Sequence, residues 1–197
     1  MEVMNLSYFN AETIRRFTWF NEPEHWELED GNLIVRPDAR TDFWQRTHYG
    51  FRNDNGHFLF LSLTCDFSLV VGAKFSPVNQ YDQAGVMVRV SPSCWLKSSV
   101  EFEGSDPARL GAVVTNSGYS DWSTQNVPAE TKSLRVRVDR KGPDYSVYAW
   151  QNGWVQLRLA RLLEDDGKLP VMVGPYCCSP KGSGYRVVFE EISLQSE

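Results

Sequence analysis

The sequence has no long apolar run and no excess of basic residues. Its most apolar segment, residues 59–71, is interrupted by Ser62, Thr64, Asp66 and Ser68, whereas a membrane helix needs about 20 consecutive apolar residues. The chain has 20 basic and 25 acidic residues, for a formal net charge of −5. A general nucleic-acid binder instead depends on clustered Lys and Arg that neutralise phosphates. We therefore expect neither a membrane nor a nucleic-acid partner.

Signals for secretion and for disulfide formation are also missing. The first ten residues contain no basic side chain and no apolar run, so they lack the pattern of a secretory signal. The four cysteines, Cys65, Cys94, Cys177 and Cys178, show no C-x-x-C spacing, which zinc and redox sites commonly use. Because stable disulfides belong mainly to oxidising compartments, the sequence predicts reduced thiols in a cytoplasmic protein.

Motifs for metal binding and for nucleophilic catalysis are absent as well. The three histidines, His25, His48 and His57, are not spaced like a pair of metal ligands. The chain has no spaced Asp-rich loop of the calcium-binding type and no G-x-S-x-G elbow around a nucleophilic serine. We therefore expect neither a metal ion nor a cofactor.

The alternation of apolar and polar residues is typical of β-strands. Between residues 65 and 75 every odd position carries an apolar side chain, and Asp66, Ser68 and Lys74 fall between them. Residues 134–140, 145–150 and 154–161 are predicted to form a three-stranded meander. Only two short pieces, residues 10–16 and 159–164, are predicted to be helical. The length suits one large domain, so we predict a single all-β sandwich over residues 1–197.

Two predicted strands, residues 83–90 and 94–103, form the most informative hairpin. If residues 91–93 are a three-residue loop, the numbers of opposing residues sum to 184. One face then pairs Val90 with Cys94, Val88 with Leu96, and Ala84 with Val100. The other face pairs Arg89 with Trp95, Met87 with Lys97, Gly85 with Ser99, and Gln83 with Glu101. Since a slip by one residue would exchange the two faces, the pattern assigns the first face to the core.

The second face of this hairpin is a candidate ligand surface. It carries the indole of Trp95 beside Gln83, Lys97 and Glu101, with a Gly–Ser notch between them. An aromatic ring can stack on a flat polar ligand while neighbouring side chains form hydrogen bonds to it. A face that is merely solvated, or covered by a loop, remains the alternative, because the outer face of an antiparallel sheet is normally polar.

Three further residues complete the predicted site. Trp44 and Trp122, like Trp95, have no evident role in the core or in a hairpin, and Arg158 is a candidate polar partner. The predicted ligand-binding residues are therefore Trp44, Gln83, Trp95, Lys97, Glu101, Trp122 and Arg158.

Six motifs, in order along the chain, resemble an uncharacterised protein family. They are Trp19-Phe20-Asn21-Glu22-Pro23, Thr41-Asp42-Phe43-Trp44 with Thr47-His48-Tyr49-Gly50, Tyr81-Asp82-Gln83-Ala84-Gly85, Trp95-Leu96-Lys97 with Glu101, Ser120-Asp121-Trp122-Ser123, and Val173-Gly174-Pro175-Tyr176 with Ser179-Pro180. The family is a domain of unknown function, sometimes described as "regulation of enolase". The resemblance implies a concanavalin A-like jelly roll of two antiparallel sheets, one with a concave outer face. It implies no established activity or catalytic residues.

Three functions are consistent with these observations. The first is binding of a carbohydrate or sugar-like small molecule on the concave sheet without catalysis. The second is a glycan-active enzyme that uses Glu101 and Glu103, since glycosidases pair carboxyl groups about 5–5.5 Å or about 6.5–9.5 Å apart. Lys97 on the same face argues against this, because a nearby ammonium is expected to hold Glu101 ionised. The third, which the resemblance suggests, is a protein-interaction module that regulates a metabolic enzyme.

Overall fold

The computed structural model describes residues 5–6, 8–104 and 107–196, and their regular structure is almost entirely β. The strands are β1 (Asn5–Leu6), β2 (Thr18–Phe20), β3 (His25–Glu29), β4 (Asn32–Arg36), β5 (Phe43–Gln45), β6 (Arg52–Asp54), β7 (His57–Leu63), β8 (Phe67–Ser76), β9 (Gln83–Ser91), β10 (Cys94–Glu101), β11 (Ala108–Asn116), β12 (Tyr119–Val127), β13 (Ser133–Lys141), β14 (Asp144–Trp150), β15 (Trp154–Arg161), β16 (Val171–Cys178) and β17 (Arg186–Ser196). A single 3₁₀ turn, Thr13–Arg16, lies between β1 and β2.

Two large antiparallel sheets contain most of these strands. The front sheet has the order β12-β11-β10-β9-β16-β7-β2. The back sheet has the order β15-β14-β13-β8-β17-β4-β3, and β1 pairs with β17 beside that path. The predicted concanavalin A-like jelly-roll sandwich of two antiparallel sheets is confirmed.

The main core lies between the two sheets and follows the alternation of the sequence. In β13 the apolar Leu134, Val136 and Val138 are buried, and the arginines between them are only half-buried. Fully burying an aliphatic side chain of this kind contributes roughly 1.5–3 kcal/mol. The three-stranded meander predicted from the same alternation is confirmed as β13, β14 and β15.

Neither segment predicted to be helical forms an α-helix in the structure. Residues 159–161 belong to β15, where Leu159 pairs with Ser146 and Arg161 with Asp144, so the helix predicted over residues 159–164 is wrong. In the other segment, residues 10–16, only the 3₁₀ turn Thr13–Arg16 forms. Helices as short as these are marginal on their own, because forming the first turn is costly.

A buried ion pair fixes the chain after β15. Arg140 donates two hydrogen bonds to Asp165, at 3.0 and 2.7 Å, and both side chains are fully buried. The Tyr145 hydroxyl also donates to this carboxylate, at 2.5 Å. Burial and the adjacent Asp165 together raise the pKa of Tyr145 well above its usual value, so its proton stays in place.

A small third sheet covers part of the outer face of the front sheet. It is the hairpin of β5 and β6, which we call the covering hairpin. The Phe43 ring packs edge-on against Trp95 and Tyr176 of the front sheet, with centroids 6.2 and 6.3 Å apart. The result is a second apolar cluster, the outer cluster, consisting of Phe43, Trp44, Phe58, Met87, Trp95, Val113, Tyr176 and Cys178.

Candidate functional site

The hairpin of β9 and β10 has the predicted register over most of its length. Trp95 pairs with Arg89, Lys97 with Met87, Ser99 with Gly85, and Glu101 with Gln83. The predicted pairing of Val90 with Cys94 is wrong, because a β-bulge between Cys94 and Trp95 places Cys94 opposite Ser91. The bulge adds one residue beside the turn and leaves the rest of the register intact.

A row of small residues forms a depression in the front sheet. Gly85, Ser99 and Gly111 lie side by side on β9, β10 and β11. A Cβ added to Gly85 would lie 1.9 Å from the backbone oxygen of Ser98, so this position accepts only glycine. A Cβ added to Gly111 would lie 2.9 Å from Nε1 of Trp122, so the indole ring sits directly over this glycine.

The depression is the floor of a cavity with a volume of about 440 Å³. This volume falls within the usual range of small-molecule sites, about 300–1,000 Å³. The strands of the front sheet contribute Gln83, Lys97, Ser99, Glu101, Gly111, Val113 and Trp122, the covering hairpin and the residues beside it contribute Asp42, Trp44, Tyr49, Phe51 and Asn53, and neighbouring loops contribute Tyr81, Glu103, Pro180 and Lys181.

A hydrogen-bond network joins the polar groups on the cavity floor. The Lys97 ammonium donates to Oε1 of Gln83 at 2.9 Å, and the Tyr176 hydroxyl donates to the same oxygen at 3.1 Å. Nε2 of Gln83 donates to Glu101 at 2.7 Å. Lys97 Nζ also lies 3.5 Å from Asp42 Oδ1. The Gln83 amide therefore connects the ammonium to the Glu101 carboxyl and has a fixed orientation.

Burial in the cavity controls the protonation of Glu101. Burial raises the pKa of Glu101 to about 8, which outweighs the opposing effect of the Lys97 ammonium. The carboxylates of Asp42 and Glu103 raise this pKa further, and the hydrogen bond from Gln83 lowers it. The expectation that Lys97 holds Glu101 ionised is therefore wrong, because desolvation of a carboxylate costs more than one nearby cation returns. Near neutral pH the group is mostly a carboxylic acid that can both donate and accept.

This raised pKa predicts a pH dependence of folding. Glu101 binds a proton more tightly in the folded chain than in the unfolded chain, where its pKa is about 4.3. The folded chain therefore binds more protons between about pH 4.3 and about pH 8, and this group lowers the free energy of unfolding as pH rises through that window. Glu101→Gln should flatten the plot of melting temperature against pH there. Glu103→Gln is the matched control, and equal slopes for wild type and Glu101→Gln would contradict the prediction.

Aromatic rings form one wall of the cavity. The indoles of Trp44 and Trp122 meet edge to face, with centroids 6.5 Å apart. Tyr49 packs on Trp44 at 5.5 Å and stacks on Phe51 at 5.8 Å. Trp44 is buried and donates through Nε1 to the backbone oxygen of Thr47 at 3.0 Å, whereas Trp122 is half-exposed. Trp122 is therefore the indole that a ligand could reach.

A buried ion pair attaches the covering hairpin to the front sheet. Arg89 donates to both carboxylate oxygens of Asp54, at 2.6 and 2.7 Å, and its guanidinium lies 4.5 Å from the Phe20 ring centroid. The side chain of Arg89 is buried, and that of Asp54 is partly exposed. At the other end of the hairpin, the Gln45 backbone N–H donates to the Ser120 hydroxyl at 3.0 Å. These contacts hold the hairpin residues of the cavity in place.

The structure brings five of the seven predicted ligand-binding residues together. The cavity is lined by Trp44, Gln83, Lys97, Glu101 and Trp122. Glu103, the second residue of the alternative catalytic pair, lines it too. The five predicted residues reach it from four strands, of which the sequence pairs only β9 with β10; β12 joins the same front sheet, and β5 belongs to the covering hairpin.

The other two predicted residues lie outside the cavity lining. The Trp95 ring is fully buried beneath Phe43, so the predicted stacking of a ligand on Trp95 does not fit its position. Arg158 lies on β15 of the back sheet, where it forms an ion pair with Asp121 at 3.0 Å. Its guanidinium is therefore engaged at the edge of the sandwich.

Sequence reasoning missed several lining residues. Asp42, Tyr49 and Tyr81 occur within the motifs that carry the family resemblance, but nothing in those motifs indicated that they face a cavity. Tyr81 has a positive φ of 73°, which is uncommon for a bulky residue. Its backbone oxygen accepts a hydrogen bond from Gln83 Nε2 at 3.2 Å, which holds this conformation against the floor network.

The fold and the cavity define a concanavalin A-like sandwich protein with a small-molecule-sized pocket on the outer face of one sheet. Residues 19–197 match the family described as "Protein of unknown function (DUF1349)", and the chain belongs to this family. The predicted resemblance is confirmed. The chain is 38% identical over 179 residues to "Regulation of enolase protein 1" of Saccharomyces cerevisiae, covering 90% of this chain and 88% of that protein.

Solved structures show the same fold. A functionally unknown protein from Saccharomyces cerevisiae superposes with a TM-score of 0.84 at 34% identity, covering 93% of this chain and 98% of that chain. The GH43 protein BlXynB from Bacillus licheniformis superposes with a TM-score of 0.65 at 20% identity. That match covers 92% of this chain but only 37% of the longer chain, so it establishes the fold alone.

The described residues contain no helix with the length and apolarity needed to cross a membrane.

Proposed function

We propose that the cavity binds a sugar-like polyhydroxy small molecule without catalysis. The observation that carries this proposal is the depression over Ser99 and Gly111, which lies between the Lys97–Gln83–Glu101 network and the indole of Trp122. A sugar hydroxyl both donates and accepts hydrogen bonds, and the floor offers an ammonium that donates and a protonated carboxyl that does both. The apolar face of a sugar ring fits the half-exposed indole.

The charges around the cavity favour a neutral ligand. Three acidic residues line it, Asp42, Glu101 and Glu103, together with two basic residues, Lys97 and Lys181. With Glu101 mostly protonated near neutral pH, the acidic and basic charges balance. A phosphate would meet Asp42 and Glu103, and a quaternary ammonium would meet Lys97. A neutral polyol avoids both conflicts.

Two substitutions test the proposed site. Trp122→Ala removes the stacking surface and Lys97→Met removes the buried donor, and each should weaken binding by at least about tenfold. Binding is measured by calorimetry with the methyl glycosides of xylose, arabinose, glucose, galactose and mannose. Trp150→Ala is the control, because this tryptophan packs on Trp154 in the back sheet. Wild-type chain that binds none of these sugars, or Trp150→Ala that weakens binding as strongly, would contradict the proposal.

The raised pKa of Glu101 favours glycan hydrolysis as the second candidate function. Glu101 would protonate the leaving oxygen, and Glu103, which lies 4.0 Å from Arg109, would act as nucleophile or base. Wild-type chain that cleaves p-nitrophenyl glycosides, with activity lost in Glu101→Gln, would replace the proposal of binding without catalysis.

A protein-interaction role is the third candidate. The name of the yeast relative concerns regulation of enolase, and this chain exposes apolar side chains at the β15 edge, with Leu159 and Leu163 each about two-thirds exposed. Co-sedimentation with purified enolase, lost on Leu159→Glu and retained on Trp122→Ala, would support an interface separate from the cavity. The cytoplasmic location and the domain limits 1–197 stay predictions from the sequence.

A further inference from the structure

We infer that the cavity takes the terminal unit of a saccharide, or a free monosaccharide, and not the interior of a saccharide chain. This inference rests on the proposed function and specifies its ligand. It follows from the walls of the cavity, which stop a ligand in three directions.

The covering hairpin blocks the path across the front sheet. A saccharide chain that crossed the sheet from β12 toward β2 would pass over Tyr176 and Cys178 of β16, next to the cavity floor. Phe43 occupies that space, because its ring packs on Tyr176. The Phe43 ring and the Cys178 sulfur also both lie within 3 Å of the point where a Cβ at Gly56 would be, so the hairpin side and the sheet side meet there. Phe58 of β7, farther along the same path, has no exposed surface. The cavity therefore ends at β9.

The covering hairpin, which forms this wall, is held in place by buried contacts. The buried Arg89 donates two hydrogen bonds to the partly exposed Asp54 beneath it, and Phe43 and Trp44 belong to the outer cluster. A ligand that displaced the hairpin would expose that cluster to water and break both hydrogen bonds between Arg89 and Asp54. We therefore expect the hairpin to stay in place when a sugar unit binds.

Side-chain contacts also bound the two ends of the cavity along the strands. At one end the Trp44 and Trp122 rings touch edge to face, 6.5 Å apart between centroids. At the other end the loop residues Tyr81 and Lys181 meet, with the ammonium 5.5 Å from the Tyr81 ring centroid.

The loops at this second end are tied together by a buried carboxylate. Asp82 accepts hydrogen bonds from the backbone N–H groups of Val78 and Asn79, both at 2.8 Å, and from the Ser179 hydroxyl at 2.5 Å. The Tyr81 backbone N–H donates to the oxygen of Phe102. The loops that carry Tyr81 and Lys181 are therefore braced against each other.

The remaining side of the cavity lies toward the end of β12, where Thr124 and Asn126, on the same face of the strand as Trp122, are exposed and polar. A saccharide that enters from this side places its last unit over Ser99, beside the Trp122 indole that covers Gly111. The free hydroxyls of that unit then reach Lys97 and Glu101. A unit inside a chain has glycosidic bonds at both ends, so one of its bonds would point into the hairpin wall.

Saccharides of different length test this inference. The probes are methyl β-xyloside and methyl β-glucoside, the matched tetrasaccharides xylotetraose and cellotetraose, and the matched soluble polymers arabinoxylan and mixed-linkage β-glucan. For whichever series binds, we expect Kd values for the monosaccharide and the tetrasaccharide within about threefold, one tetrasaccharide per protein chain, and polymer binding that scales with the number of chain ends.

The outcomes separate this inference from the proposed function. An affinity that rises more than about tenfold from monosaccharide to tetrasaccharide, or protein bound along the length of the polymer, would overturn terminal recognition and leave sugar binding intact. Failure of every sugar, including the five methyl glycosides tested above, would overturn both.

Two substitutions locate the bound unit. Ser99→Leu fills the depression and should abolish binding of the monosaccharide and the tetrasaccharide alike, while a retained melting temperature shows that the chain is folded. Thr124→Trp adds bulk on the open side, so it should change tetrasaccharide binding and leave monosaccharide binding within about twofold. The reverse pattern for Thr124→Trp would overturn the inference.

Discussion

Replacing Asp165 with alanine is expected to lower the free energy of unfolding by about 3–5 kcal/mol. The substitution leaves the fully buried guanidinium of Arg140 without its carboxylate and removes the acceptor of the Tyr145 hydroxyl. An uncompensated buried charge costs more than the pair itself contributes, because desolvation is no longer offset. Chemical denaturation at neutral pH measures the loss.

Asp144→Ala is the matched control for this prediction. Asp144 and Arg161 form an ion pair between the neighbouring strands β14 and β15, but both side chains are more than half exposed. Exposed pairs contribute about 1 kcal/mol or less. Similar losses for Asp165→Ala and Asp144→Ala would mean that water reaches Arg140 and that its pair with Asp165 has no special role.

Replacing Asp54 with alanine is expected to weaken both folding and ligand binding. The change leaves Arg89 beneath the covering hairpin without its carboxylate partner, with the Phe20 and Phe43 rings beside its charge. Because Asp54 is partly exposed and water can partly replace it, we expect a loss of stability on the order of 3 kcal/mol. The hairpin also carries Trp44, so sugar binding should fall by more than about tenfold.

Two measurements check this second prediction. Calorimetry with the best-binding methyl glycoside reports the site, and limited proteolysis within residues 46–51 reports release of the hairpin. Asp139→Ala removes a carboxylate that pairs with Arg137 on the back sheet, and it should leave both measurements unchanged. Unaltered binding by Asp54→Ala would mean that the hairpin does not form the site.

Local rules predicted those parts of the fold whose partners are close in sequence. The register of β9 and β10 follows from a short loop and from the requirement that one face be apolar, so Ser99 could be placed opposite Gly85 from the sequence. The meander of β13 to β15 follows in the same way. The helix predicted over residues 159–164 failed because a ladder with β14 overrides the weak local preference of so short a segment.

The candidate site could be predicted only in part, because long-range packing decides which face of a strand meets water. The sequence assigned Trp95 to an outer face, which is geometrically correct. The residue that covers Trp95 is Phe43, about fifty positions away, and no periodicity links the two. The prediction that Arg158 lies in the site was wrong for a similar reason: long-range pairing places its strand, β15, in the back sheet.

The protonation of Glu101 shows a second limit of prediction from the sequence. From the sequence, Lys97 is a cation predicted to lie on the same face, and a nearby cation normally lowers a carboxyl pKa. Whether burial outweighs that attraction depends on the walls around the carboxyl. Those walls include Asp42 and the loop that carries Tyr81, which the sequence does not place near Glu101.

The contact between Trp44 and Trp122 also has an optical consequence. Two indoles whose centroids are 6.5 Å apart and whose planes cross at 80° are close enough for their excited states to couple. One partner is fixed in the outer cluster, while the other is the ring that a bound sugar would touch. The near-ultraviolet circular dichroism and the tryptophan emission of the unlabelled protein should therefore respond when the cavity fills. The chain carries its own spectroscopic probe for screening ligands.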